Sequence, residues 1–302
     1  LQTLVQMPKE WSEAQTPITS YSKLKQHQKL TQETDQMAQF LSTEQSQPTL
    51  LDPEFTDPDL MMGESEVSET LVGGKEMGQV LHDCLEHIDG LVWMDRDKTE
   101  FLASPEVVCV ASTAINKHRI DQDALPSVLT LIWDVLNAKL KLTDEIHLPA
   151  LGSLPMLKEM EFLYPAPSNH DSPEGYIRGF IDGLFQFEGR YYWLDWKSDR
   201  LPDYSPQSLQ SHVQSHYGIQ AQLYTLALER LLRIENKTQY DALMGGLIYV
   251  YLRGVNPEDT GSNAGVFFSH PTYEDTRHFE QEWSVRGLYS PPTFNLPPDG
   301  KA

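Results

Sequence analysis

Asp182, Asp195 and Lys197 stand in the stretch Gly179 to Ser198, GFIDGLFQFEGRYYWLDWKS, as two carboxylates and an ammonium in a D…D-x-K pattern. Carboxylates are hard oxygen ligands. A cation such as Mg²⁺ takes one or two of them and keeps positions for water and phosphate oxygens. An ammonium beside such an ion can offset charge developing on a phosphate. These residue types at this spacing suit metal-assisted phosphodiester hydrolysis.

That chemistry requires the three groups to converge. Two runs rich in aromatic and aliphatic residues flank Glu188-Gly189, where glycine supplies the positive φ of a tight connection. An even-length turn centred there pairs Phe187 with Arg190 and, counting back, Asp182 with Asp195 and Phe180 with Lys197. Alternation puts Lys197 on the face of Asp195. It gathers Ile181, Phe185, Phe187, Tyr192, Leu194 and Trp196 on the other face, the side a sheet buries against helices, so the acids are expected to point away from that core. Opposed carboxylates with Cβ atoms roughly 5 Å apart repel, and a cation between them removes the conflict. An Asp-x-Lys pair on an exposed strand is otherwise a solvated ion pair of small consequence. Here both acids interrupt apolar strands, and Trp193 to Trp196 is not surface composition.

Further candidates lie outside the hairpin. Gly78, His82 and Glu86 are spaced by four, so on a helix they share one face. His82 is either a partly buried, hydrogen-bonded residue or an imidazole ligand, and Glu86 is a surface, capping or supporting acid. Gln220 and Tyr224 are also four apart, beside a stripe of Ile219, Leu223 and Leu226. They can hydrogen-bond phosphate and stack on a base, or simply pack a helix edge. Glu161, in KEMEFLYP, is a further inward-facing acid on a strand.

The elements that must hold these residues follow from periodicity. Helices are expected over Gly78 to Asp89, Leu125 to Leu142 and Tyr217 to Arg233, and strands around Met160 to Tyr164 and Gly246 to Leu252. A short helix is expected from Thr19-Ser20-Tyr21-Ser22 through His27, and a polar stretch without a regular element from Leu201 to His216. The result is an α/β fold, a mixed central β-sheet flanked by helices. Residues 31–70 are acidic, Gln-rich and Pro-interrupted, which reads as a linker; the compact domain is expected over 71–288, and 289–302 as a disordered proline-rich tail.

The 302 residues carry a formal net charge of -21, with acids concentrated in the first hundred positions. Phosphate contacts need clustered Lys and Arg, so a free-standing protein that coats duplex DNA is not expected. Two cysteines, Cys84 and Cys109, exclude a disulfide framework and a four-cysteine zinc or iron–sulfur site supplied by this chain alone, and they fit a reducing compartment. No run of about 18 apolar residues and no basic-then-apolar leader occurs, so neither export nor membrane spanning is expected. GGKEMG around Lys75 lacks the spacing of a phosphate-binding P-loop, so no ATPase motor is expected here. Leu1 in place of methionine suggests a segment of a longer polypeptide.

GFIDGLFQFEGRYYWLDWKS, then YGIQAQLYTLALERLL and GGLIYVYLRGV, closely resembles the RecB-type nuclease domains of RecBCD (exonuclease V) helicase-nucleases. The likeness extends to GKEMGQVLHDCLEHID around His82, to MEF around Glu161 and to ITSYSKL, where residues 1–30 would be the end of a preceding helicase region. The resemblance implies a restriction-endonuclease-like PD-(D/E)xK core that hydrolyses DNA with one or two Mg²⁺ ions, for which Mn²⁺ or Ca²⁺ could substitute in binding. His82, Asp182, Asp195 and the carbonyl of Trp196 would ligate metal, and Lys197 would be catalytic. Gln220 and Tyr224, with Tyr217 upstream, match a Q-x-x-x-Y element that positions the DNA strand. The departures are local: Trp196 stands where a tyrosine is commoner and Asp199 where an asparagine is. The implied partners are single strands from unwound duplex, RecC-like and RecD-like subunits and the helicase portion of the same polypeptide, in the bacterial cytoplasm, in recombinational double-strand break repair. The alternative is a catalytically silent module of the same fold that regulates a helicase; intact Asp182, Asp195 and Lys197 argue against it.

Overall fold

The computed structural model describes residues 18–20, 74–165, 176–259 and 261–286, with side-chain environments from residue 74 to Glu282. A short strand, β1 (Ile18–Ser20), comes first. Four helices follow: α1 (Lys75–His87), α2 (Lys98–Ala103), α3 (Pro105–Lys117) and α4 (Leu125–Asn137). Then come β2 (Lys139–Lys141), β3 (His147–Ala150), β4 (Met156–Pro165), β5 (Tyr176–Phe187) and β6 (Arg190–Lys197). The chain continues through α5 (Pro206–His216), α6 (Gly218–Leu231), α7 (Lys237–Leu243), β7 (Met244–Tyr251), β8 (Val266–Ser269) and α8 (Tyr273–Arg286).

The expected α/β fold is present. A six-stranded mixed sheet runs β1-β5-β6-β7-β8, with β4 on the remaining edge of β5, and β2 and β3 form a separate antiparallel pair. The β6–β7 and β1–β5 pairings are parallel, and β4–β5, β5–β6 and β7–β8 are antiparallel. All eight residues of β7 are buried, as an interior strand covered on both faces requires. On one face α1, α3 and α4 pack with Phe185, Tyr192, Leu194, Trp196, Ile248 and Val250. On the other, α5, α6 and α8 pack with Ile177, Ile181, Leu184, Trp193, Leu247 and Tyr249.

The hairpin register is the one counted from the turn: Phe187 pairs with Arg190 and Gly183 with Leu194. Glu188 and Gly189 both have positive φ, at 48° and 82°, which matches the right-handed strand twist. The ladder stops at Gly183–Leu194, and β6 pairs onward with β7, so that Lys197 sits beside Tyr251 rather than Phe180. β4 occupies one edge of β5, so β1 and β6 share the other at its two ends. Between them Gly179 to Asp182 meet no strand on that edge among the described residues.

Strict alternation fails beside Asp182, for a visible reason. Glu159 in β4 adopts φ 49°, outside the extended region, opposite the position of Asp182. Met156 and Phe185 therefore pack in the first core, whereas Met160 and Ile181 pack in the second. Ile181 is not on the face of Phe185, and the acids do not point away from a core, because both faces are covered.

Other expectations are corrected locally. α4 ends at Asn137, where Ala138 turns extended, and Leu140 and Leu142 reach the same core from the β2–β3 pair. The stretch from Leu201 to His216 contains α5: Ser205 caps it by accepting from the Ser208 N–H, Pro206 opens it, and Leu209 and Val213 are buried one turn apart. Thr19 and Ser20 lie in β1, not at a helix start, since β-branched Ile18 and Thr19 pair beside Tyr176 and Ile177. The rest of that expected helix, the linker at 31–70 and the tail at 289–302 lie outside the described residues.

Candidate metal centre

The site lies where β6 parts from β5, closed by α1 on one side and α6 on the other. α1 buries Met77, Val80, Leu81, Cys84 and Leu85, which fixes its rotation and turns His82 toward the sheet. The His82 Nε2 is 2.9 Å from the Trp196 carbonyl oxygen, an acceptor only, so this nitrogen donates. Its Nδ1 lies 3.5 Å from Asp182 Oδ2, and that same oxygen accepts the Trp196 N–H at 2.7 Å. Asp182 thus holds the opened strand of β6 through its first free amide.

Asp195, Lys197 and Gln220 form the other half. Lys197 Nζ is 2.6 Å from Asp195 Oδ2 and donates to Gln220 Oε1 at 2.9 Å, while Gln220 Nε2 donates to Asp195 Oδ1 at 2.8 Å. The ammonium stands 3.9 Å from the ring centre of Tyr217 and 4.8 Å from that of Tyr249. Asp182, Asp195 and Lys197 are only 4%, 2% and 7% exposed, so none of the three is a solvated surface group.

One acid was not among the sequence candidates. Glu159, His82 and Asp182 place one ligand atom each within 4.8 Å of one another. Burial, together with the charge of Asp182, pushes the Glu159 carboxyl up to about 8. Burial also pushes Asp195 up to about 6, aided by Asp182 and opposed by Lys197. The site therefore holds more carboxylate than its own cations neutralise. Three carboxylates, a backbone carbonyl and one imidazole form a mainly hard-oxygen donor set, and the charge deficit has the sign a divalent cation corrects. The residues fit such an ion.

The other candidates fall elsewhere. Glu161, two residues from Glu159, faces Phe180 and pairs with Arg178 at 2.7 Å in a half-exposed position. Glu86 is one turn from His82 and acts on Glu159 only through its charge. Gln220 and Tyr224 lie inside the fold and do not line an outer groove. Tyr224, 1% exposed, packs its ring 4.8 Å from Phe162 and 5.4 Å from Trp193. Tyr217 is half-buried beneath Lys197.

Glu159 and Glu161 share strand parity, so alternation could not separate them. The register of β4 on β5 does, since it brings Glu159, not Glu161, opposite Asp182. KEMEF alone carries no signal for that register. Asp199, His212 and Tyr249, which surround the lysine from behind, were likewise invisible as a cluster, because they come from three separate elements.

Against known proteins, residues 61–287 match a family model described as the PD-(D/E)XK nuclease superfamily. The RecBCD enzyme subunit RecB of Escherichia coli (strain K12) is 43% identical over 103 residues, 32% of this chain and 9% of that protein. The RecB of Haemophilus influenzae is 28% identical over 233 residues, 67% of this chain and 18% of that protein. A polypeptide of the ATP-dependent helicase/nuclease of Staphylococcus carnosus is 26% identical over 170 residues, 54% of this chain and 13% of that protein. The chain thus spans less than a fifth of the length of each of these three relatives.

Proposed function

This chain belongs to the PD-(D/E)XK nuclease superfamily, and on that premise we propose that it hydrolyses DNA phosphodiester bonds with Mg²⁺ as the nuclease part of a RecBCD-type helicase-nuclease. The observation that carries the reading is the meeting of His82, Glu159 and Asp182 within 4.8 Å, beside the buried Asp195–Lys197 pair. His82, Glu159, Asp182, Asp195 and the Trp196 carbonyl would hold the cation. When bound, the ion supplies positive charge that offsets the developing phosphate charge and acidifies the attacking water.

The chain's own groups do the rest. Asp182 binds the Trp196 amide and so fixes the carbonyl that His82 also binds. Asp195 and Gln220 hold the Lys197 ammonium as a preorganised positive charge next to the carboxylates, where it stabilises a transition state more anionic than the substrate. The walls of α1 and α6 limit water around these charges, which strengthens each interaction.

A net charge of -21 supports a substrate delivered by other parts of an assembly. RecC-like and RecD-like subunits and a helicase portion of the same polypeptide would hold the duplex, and the site would meet unwound single strands in the bacterial cytoplasm during double-strand break repair. No helix among the described residues is long and apolar enough to cross a membrane.

The test is cleavage of end-labelled single-stranded DNA across a Mg²⁺ titration with and without EDTA. Products should require the cation, and Asp182→Ala and Lys197→Ala should each lower the rate at least about a hundredfold. Products formed in EDTA, or wild-type rates in either variant, would overturn the assignment.

A further inference from the structure

Behind Lys197, on the side away from His82, lies a second polar cluster. Asp199 follows β6 by two residues, with a side chain only 10% exposed. Its Oδ1 accepts the Tyr217 hydroxyl at 2.8 Å and lies 3.2 Å from His212 Nε2. The Asp199 carbonyl accepts the Tyr204 hydroxyl at 2.9 Å, and that hydroxyl oxygen accepts the Leu201 N–H at 3.2 Å, so the loop around the carboxylate is itself held.

Tyr217 is the corner between two helices. Its N–H closes α5 on Val213, and its carbonyl accepts the first α6 bond from Ala221. Its ring lies 3.9 Å from Lys197 Nζ, and Gln220, one turn on, accepts from the same ammonium at 2.9 Å. Tyr249 joins them, donating its hydroxyl to Gln220 Oε1 at 3.2 Å. A lysine head on a flexible four-carbon stem is not located by its own stem. The ring and the amide of this corner locate it.

We propose that Asp199 is a positioning residue for Lys197: it fixes the α5–α6 corner through the Tyr217 hydroxyl, and the corner holds the ammonium at its working place. The inference rests on the reading of Lys197 as the catalytic lysine of a nuclease. His212 completes the carboxylate's hydrogen bonding, and its ring, stacked on His216 with centres 4.3 Å apart, packs that partner into α5. The tether acts apart from the cation ligands, since the Asp199 carboxylate is engaged by Tyr217 and His212.

The experiment compares full-chain variants on end-labelled single-stranded DNA at saturating Mg²⁺. Asp199→Ala should lower kcat about tenfold or more with KM and the Mg²⁺ Kd within about twofold, because only a transition-state contact is displaced. Asp199→Asn keeps an oxygen acceptor and should recover most of the rate. Tyr217→Phe keeps the ring and loses the tether, should fall between the two, and serves where the alanine variant does not fold. Wild-type kcat in both Asp199→Ala and Tyr217→Phe would overturn the proposal. So would an equal loss in the Ala and Asn variants, or a loss carried wholly by KM. Wild-type cleavage by Lys197→Ala would instead overturn the nuclease reading itself, so the two failures are distinguishable.

Discussion

Binding of a divalent cation should expel about one proton at neutral pH, and most of it should come from Glu159. Burial and the neighbouring Asp182 hold this carboxyl at about 8, so at pH 7 it keeps about 0.9 of a proton, while Asp195 at about 6 keeps about 0.1. A cation ligated by both carboxylates displaces both fractions. The proton number should fall to about 0.1 at pH 9, and the apparent affinity should rise about tenfold per pH unit between 6 and 8 and then level off. Isothermal titration of Mn²⁺ in buffers of different ionisation enthalpy reads the proton number as a slope. Glu159→Gln should reduce the slope at pH 7 to about 0.1, the share of Asp195. A wild-type slope near zero at pH 7, or the same slope in Glu159→Gln, would refute the argument that the cluster is short of positive charge. The same carboxyl sets a direction for stability. Its folded value lies above the ordinary glutamate value of 4.5, so its contribution is present below about 4.5, is lost as pH rises through about 8, and should be restored by the cation.

Three further outcomes follow from the packing. Asp199 is held at about 2 although burial alone would raise it, because the His212 hydrogen bond and charge, Lys197 and the Tyr217 hydroxyl outweigh burial. Against 3.8 unfolded, its stabilisation of about 2 kcal/mol should be full above pH 5, about half gone by pH 3 and lost through pH 2, read from urea midpoints against Asp199→Leu. Gly179→Ala would drive a methyl to 2.4 Å from the Phe162 ring and 3.0 Å from Tyr224, costing about 1–3 kcal/mol in thermal or urea unfolding, and an unchanged midpoint would refute this close approach. Arg277→Ala removes the half-exposed partner 2.5 Å from Glu229, which is 2% exposed, and should destabilise by about 1–3 kcal/mol, with much of the loss recovered in a Glu229→Leu background; a loss under about 0.5 kcal/mol would show that the pair does not join α6 to α8.

The hairpin was legible because its information is local. A two-residue turn at Glu188-Gly189 fixes the register of everything paired behind it, and that register carried Asp182 and Asp195 to the same end of the sheet. α1 was legible because its apolar stripe repeats over three turns. What sequence could not reveal depended on a second strand or a second core. The choice between Glu159 and Glu161 is made by β4 lying on β5, and the change of face at Ile181 is made by one residue at positive φ in that neighbouring strand. α5 escaped notice because two apolar residues, Leu209 and Val213, make too short a stripe to stand out from its polar surroundings. Leu140 and Leu142 continued the pattern of α4 and belong to the same core, yet their backbone had already turned extended. Periodicity reports which side chains are buried more faithfully than which backbone carries them.

The pairing of β1 with β5 has a consequence for the ribosome. Ile18–Ser20 leave the exit tunnel roughly 160 residues before their partner at Tyr176–Arg178, a wait of about 8–30 s at ordinary rates of synthesis. Throughout that interval its partner strand has not yet been made. The end of β5 at Tyr176–Arg178 therefore gains β1 only once β5 itself has been made, whereas β6, β7 and β8 follow β5 in the chain and are made later still.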